Sequence, residues 1–315
     1  MKISIIVPTI RKEKLLDFQL SNYAKQTFPK DDFEIIIVDD YPIDRKDSIM
    51  NFGKENNLNV KWMRSKKPYY RSQEQIGCAR NTGLIHAQGE LVIFNDDFSG
   101  VRHNYLENVW KIYKNNPGFS HIGPVISVEY GDSPYQDNIN NLKIISNDNR
   151  SKSFPCPSKW FYTSNSSVPL ERIIKVNGFW EIADLTREED VLMGLALERV
   201  GWQFCFIDKP DISVYHMTHY ESSPHKRYVD VTYESIGWHT AKIHGTMVEG
   251  GGEGGRCGLN TNSDNIQLVT KDVFGTKYPG SWALAEHFRE NMNLKFNQEI
   301  GFNLAEERKK IGNWI

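Results

Sequence analysis

The segment LVIFNDDFSG, residues 91–100, runs four apolar residues straight into two adjacent carboxylates, Asp96 and Asp97. If Leu91 to Phe94 is a buried strand, two like charges at its end are costly unless something neutralises them. A bound cation would do so, and so would a solvated Asn-Asp-Asp turn after the strand. The rest of the chain has to separate the two readings.

Just upstream, CARNTGLIHAQG (78–89) reads as a helix closed by Gly89. KISIIVP (2–8) and FEIIIVDD (33–40) are Ile- and Val-rich and continuous rather than alternating, the pattern of strands covered on both faces. Between them Leu16, Leu20 and Tyr23 share one helix face. LNVKWM (58–63) and ELVIFN (90–95) add a third and a fourth strand, and Leu106, Val109, Trp110 and Tyr113 mark another helix. This alternation predicts an α/β fold whose mostly parallel central sheet is flanked by helices. Asp39, Asp40, Asp96 and Asp97 then all fall just past strand carboxyl ends, where open α/β sheets bind ligands.

Residues 130–157 are rich in Asn, Asp, Ser and Pro and have no period, which fits a lid or a disordered insertion. Strand-like runs return at WFYTSNSSV (160–168), QFCFI (203–207) and ISVYH (212–216), with a periodic helix over residues 187–200. VEGGGEGGRCG (248–258) lacks the Gly-Lys-Ser/Thr ending of a phosphate-binding loop and reads as a connector. At 315 residues the chain can bury a large core, and a formal net charge of -2 gives no global pull toward nucleic acid or anionic membrane. No apolar run approaches the roughly 18 residues of a membrane span. Cys78, Cys156, Cys205 and Cys257 lack zinc-site spacing and read as free thiols of a reducing compartment, so a soluble, cytoplasmic protein is expected.

Taken together, SIIVPT (4–9), EIIIVDD (34–40), GCARNTGLIHAQGELVIFNDD (77–97), GFWE (178–181) and REEDVLMGLALERVGW (187–202) occur in the order and rough spacing of a known family. Over about residues 1–216 the chain resembles a family-two inverting glycosyltransferase with the GT-A fold. The resemblance implies a nucleotide-sugar donor, with a UDP-sugar expected, and Mn2+ or Mg2+ to neutralise the departing diphosphate. It assigns the metal to Asp97 and Asp96, with Asp96 alternatively on the ribose, and His216 completing the site ahead of His219. Phe98 stands where a third aspartate is often found.

Pro8, Thr9, Asp39, Arg71, Arg80 and Asp96 match nucleotide-sugar-binding positions. Asp39 would accept from uracil or ribose, and the two arginines would face the diphosphate. Arg71 also fits a solvated basic loop, RSKKPYYR (64–71). Asp190 is the expected general base and Glu189 its neighbour at the acceptor, although Thr186 and Glu189 also spell a capping box. Trp180 in GFWE is the acceptor-side aromatic, while Trp160, Tyr162 and Trp202 fit either sugar stacking or core.

The resemblance divides the chain into a nucleotide-sugar-binding half (1–120), an acceptor-binding and catalytic half of the same domain (121–245), and a Gly-rich connector with a C-terminal tail (246–315). The acceptor stays open among glycan, lipid-linked sugar, protein and modified nucleic acid. Two competing readings are weaker. A nucleotidyltransferase would carry a Gly-rich signature that PTIRKEK (8–14) lacks, and a non-catalytic binding module is hard to reconcile with keeping Asp96, Asp97 and Asp190 together.

Overall fold

The computed structural model describes residues 1–10, 15–66, 76–129, 143–148, 150, 152–181, 189–218 and 302–313. Strands β1 (Ile3–Thr9) and β2 (Phe33–Asp39) pair in parallel inside a seven-stranded sheet. β3 (Val60–Met63) lies beyond β2, and β4 (Leu91–Phe94) flanks β1 on the other side. The sheet continues through β9 (Ser166–Pro169), β6 (Phe119–Ile122) and β10 (Gln203–Phe206), with β9 antiparallel to both of its neighbours. Strands from both halves of the chain therefore share one sheet. A smaller sheet orders β5 (Ser99–Val101), β11 (Val214–Thr218), β7 (Val125–Glu129) and β8 (Ile144–Ser146).

The continuous apolar runs are explained by two cores, one on each face. Ile6, Ile36, Val38, Val92 and Phe94 feed one cluster, while Ile3, Ile5, Val7, Ile35 and Ile37 feed the other. Helices α1 (Leu15–Ala24), α2 (Lys46–Glu55), α3 (Ile76–His86), α4 (Tyr105–Asn115), α5 (Leu170–Lys175) and α6 (Glu189–Arg199) connect the strands. Helix α3 approaches β1 closely because Gly83 has no side chain: a Cβ there would lie 2.6 Å from Ile6 Cγ2. No helix among the described residues is long and apolar enough to cross a membrane.

Three expectations change. Helix α3 ends at His86, and Gly89 serves a different purpose, since a Cβ there would meet the Ser4 amide nitrogen at 2.4 Å as the chain crosses β1. The 160–168 run is a strand only from Ser166. Before it come a 3-10 turn (Ser158–Trp160) and a turn closed by the Asn165 amide on the Tyr162 carbonyl at 3.3 Å.

The C-terminus is also more than a tail. Phe302 and Leu304 are buried in the main core, and helix α7 (Leu304–Lys310) places the Arg308 guanidinium on the carbonyls of Leu84 and Ala87 at 2.6 and 2.7 Å. That cation satisfies the exposed carbonyl end of α3, where the helix dipole is negative. Arg71, Thr186, His219, residues 130–142 and the Gly-rich segment lie outside the described residues.

Candidate active site

Strand β4 delivers the two carboxylates that raised the first question, and the turn that carries them is held by buried polar side chains. Asn95 receives the Tyr23 hydroxyl on its side-chain oxygen and donates to the Ser164 carbonyl at 2.9 Å. Burial pushes the Tyr23 phenol well above its usual pKa, with the neighbouring Tyr105 adding to the rise, so it acts as a neutral donor. Gln19 on α1 donates to the Asp96 carbonyl at 2.6 Å. The turn that carries both carboxylates is thus held from two sides, by α1 and by the turn before β9.

Each carboxylate then has its own partners. Thr9 at the end of β1 donates to Asp97 at 2.8 Å, and Ser164 donates to Asp96 at 2.6 Å. Arg80, only 2% exposed on α3, puts one nitrogen 3.7 Å from Asp96 and another 2.5 Å from Glu189 on α6. Thr9, Asp96, Asp97, Arg80 and Glu189 therefore form one connected constellation at the carboxyl end of the sheet. Pro8 precedes Thr9 on β1, half-buried and in register with Val38.

The pair at the start of α6 divides its work. Glu189 is buried at 5% exposure and faces Arg80, while Thr186, its expected capping-box partner, lies outside the described residues. Asp190 is half-buried, and its carboxylate accepts the Val191 amide at 2.7 Å. Of the two acids, Asp190 is the more open.

Other expected residues stand apart. Asp39 is fully buried, and its carboxylate accepts from the Tyr41 amide at 3.0 Å, from Arg45 at 2.7 and 3.1 Å, and from the Trp62 indole at 3.1 Å. A carboxylate has about four acceptor sites, so Asp39 has none left for a uracil or ribose in this structure. Trp62 and Arg64 lie beside it half-buried, the guanidinium 5.4 Å over the indole. Trp180 is 3% exposed in the main core and presents no ring to an acceptor. What GFWE contributes is a clasp: Asn81 binds the Phe179 carbonyl and amide and also Glu181, which pairs with Lys66 at 2.5 Å.

The expected metal set is assembled only in part. His216 is in ladder register with Ser99, two residues from Asp97, and its ring meets Phe98 edge-on with centroids 4.0 Å apart. No group of three His, Cys, Asp or Glu side chains placed to hold an ion occurs among the described residues. Two adjacent carboxylates remain. That donor set fits Mg2+ or Mn2+, hard ions often held by one or two carboxylates plus substrate phosphates and water. Sequence reasoning missed Gln19, Tyr23, Asn95 and Ser164, whose partners lie 68 to 77 residues away and leave no local pattern.

Comparison with known proteins agrees with this architecture. A family model described as glycosyl transferase family 2 matches residues 4–168. Staphylococcus aureus TarS, a poly(ribitol-phosphate) beta-N-acetylglucosaminyltransferase, is 38% identical over 108 residues, covering 34% of this chain and 18% of that protein. Validoxylamine A glucosyltransferase of Streptomyces hygroscopicus subsp. limoneus is 25% identical over 223 residues, covering 63% and 48%. The matched stretches thus span less than half of either relative. Among solved structures, TarS 1–349 in complex with UDP-GlcNAc shares the fold with a TM-score of 0.53 at 18% identity, covering 98% of this chain and 80% of that one. GalNAc-T7 with UDP, GalNAc and Mn2+ does so at 0.51 and 13% identity, covering 96% and 58%.

Proposed function

The chain belongs to glycosyl transferase family 2, and from that premise we propose that it moves a sugar from a UDP-sugar to an acceptor hydroxyl with inversion. The observation that carries this reading is the linkage of Asp96 through Arg80 to Glu189, which ties the strand-end carboxylates to the first turn of α6. Asp190, the more open acid of that turn, takes the acceptor proton as the hydroxyl attacks the anomeric carbon. Glu189 and Arg80 hold that turn in place. Arg80 also lies close enough to Asp96 to reach a diphosphate bound there, and Thr9 orients Asp97.

Asp97 and Asp96 would hold Mn2+ or Mg2+, which supplies positive charge against the diphosphate as it leaves. In this reading Asp39 shapes the nucleotide pocket through Arg45 and Trp62 instead of touching the base. The curated relatives, named as glucosyl- and N-acetylglucosaminyltransferases, make UDP-glucose and UDP-GlcNAc the first donors to try. Residues Cys78, Cys156 and Cys205 are free thiols, in keeping with a cytoplasmic setting.

The test is UDP release from both donors with manganese present. Asp97→Ala should abolish metal-dependent UDP binding by calorimetry while the protein stays folded. An unchanged metal dependence in that variant would remove Asp97 from the site.

A further inference from the structure

We propose that Tyr162 and Trp160, clasped by Arg150, form an aromatic platform that stacks a saccharide ring of the acceptor beside the donor site; this rests on the glycosyltransferase reading above. Tyr162 is 40% exposed and yet held by a specific contact. The Arg150 guanidinium lies 5.2 Å from the Tyr162 ring, 5.8 Å from Trp160 and 4.5 Å from Phe206. Arg150 is itself fixed: Asp148 accepts from its Nε at 2.9 Å and its Nη2 at 2.5 Å, and the Trp160 carbonyl accepts from its Nη1 at 3.3 Å. Asp148 is anchored in turn by the Val125 amide at 3.2 Å. An exposed ring ordered in advance costs a ligand less entropy to bind than a free one.

Position supplies the second argument. Tyr162 opens the turn closed by the Asn165 amide, and Ser164 within that turn donates to Asp96 at 2.6 Å. Two residues of chain reach at most about 7 Å, so the backbone of Tyr162 lies close to that of Ser164, whose hydroxyl holds the donor-side carboxylate. The far end of the platform is equally fixed. A Cβ on Gly194 of α6 would lie 2.3 Å from the Ser158 carbonyl oxygen, and Ser158 also donates to Glu198 at 2.8 Å. The platform thus packs against the helix that carries Asp190.

Charge points to the class of ligand. The guanidinium pairs with Asp148, so the clasp beneath the rings carries no net charge of its own. Such a surface suits the weakly positive C–H face of a neutral sugar ring against the negative face of an aromatic ring.

The experiment is retention on an array of immobilised oligosaccharides, with UDP and manganese present, for wild type, Tyr162→Ala and Tyr162→Phe. Melting temperature and UDP affinity serve as controls for a folded, donor-competent protein. The expected result is retention of particular glycans by wild type, kept by Tyr162→Phe and weakened at least about fivefold in Tyr162→Ala. Absence of any retained glycan, or equal retention by Tyr162→Ala, overturns the platform. Hydrolysis of UDP-glucose and UDP-GlcNAc by the wild-type preparation reports separately on the donor reading.

Discussion

The two ends of the central sheet use the same kinds of side chain for opposite purposes. At the amino end of β2, the buried carboxylate of Glu34 accepts from Ser4 and from the Gln88 amide, each at 2.6 Å, and its other oxygen lies 2.7 Å from the Lys61 ammonium. Ser4 in turn accepts the Gly89 amide at 2.7 Å, and Arg308 covers the adjacent end of α3. Every contact there joins one structural element to the next. At the carboxyl end, Asp96 and Glu189 share one guanidinium, Asp97 follows directly, and Asp96 and Asp190 are partly open. In a parallel sheet the amino end can be closed for stability, while the carboxyl end keeps charges within reach of a ligand.

If that division holds, the largest effect on chemistry should come from the open end. Asp190→Asn keeps size and the start of α6 but cannot take a proton, so transfer should fall by roughly 100- to 10,000-fold with UDP affinity nearly unchanged. Turnover and calorimetry on one preparation decide it. A variant that melts earlier but turns over normally would reduce Asp190 to a helix-start residue.

The closed end should fail in stability instead. Arg308→Met removes the buried cation from the carbonyls of Leu84 and Ala87 and should cost roughly 2–3 kcal/mol in urea unfolding, with turnover per folded molecule kept. Lost turnover at full folding would mean that the two ends are coupled through α3.

How much of this was readable follows the same line. The β1 and β2 runs were legible because residues buried on both faces leave no alternation, and Asp96 and Asp97 because charge directly after such a run is conspicuous. The clasps were not. Arg308 reaches Leu84 across 224 residues, and Asn177, in a left-handed conformation at φ +64, binds the Phe302 carbonyl across 125. No periodicity records a partner at that distance, and the 3% exposure of Trp180 cannot be read from its place in GFWE.

Acid should act between the ends, at His121 on β6. Burial lowers its pKa from 6.5 to about 4, and its Nδ1 lies 2.6 Å from the Ser167 hydroxyl. The folded pKa lies below the unfolded one, so this stability is present above pH 6.5 and is lost as the pH falls toward 4. At pH 5 the loss is roughly 2 kcal/mol. His86, whose pKa is lowered first by burial and then by Lys61 and Arg308, acts in the same direction at the closed end. Melting temperatures at pH 7 and pH 5 should differ less in His121→Gln than in wild type; an equal drop would place the acid sensitivity elsewhere.

The finest comparison uses two hydroxyls on one strand. Ser4 and Thr9 each donate to a buried carboxylate, Glu34 at 2.6 Å and Asp97 at 2.8 Å. Ser4 also accepts the Gly89 amide, so Ser4→Ala strands that amide and takes one donor from Glu34, and should cost roughly 1–3 kcal/mol while leaving UDP binding alone. Thr9→Val keeps the shape and removes one hydroxyl donor from Asp97, so stability should change by roughly 1 kcal/mol. Its effect should appear instead in the manganese dependence of UDP affinity, because the orientation of Asp97 is what the hydroxyl fixes. Melting curves and calorimetry with and without manganese separate the outcomes. If Thr9→Val destabilises as much as Ser4→Ala and leaves manganese dependence untouched, Thr9 belongs with the closing contacts and the division between the two ends does not extend to β1.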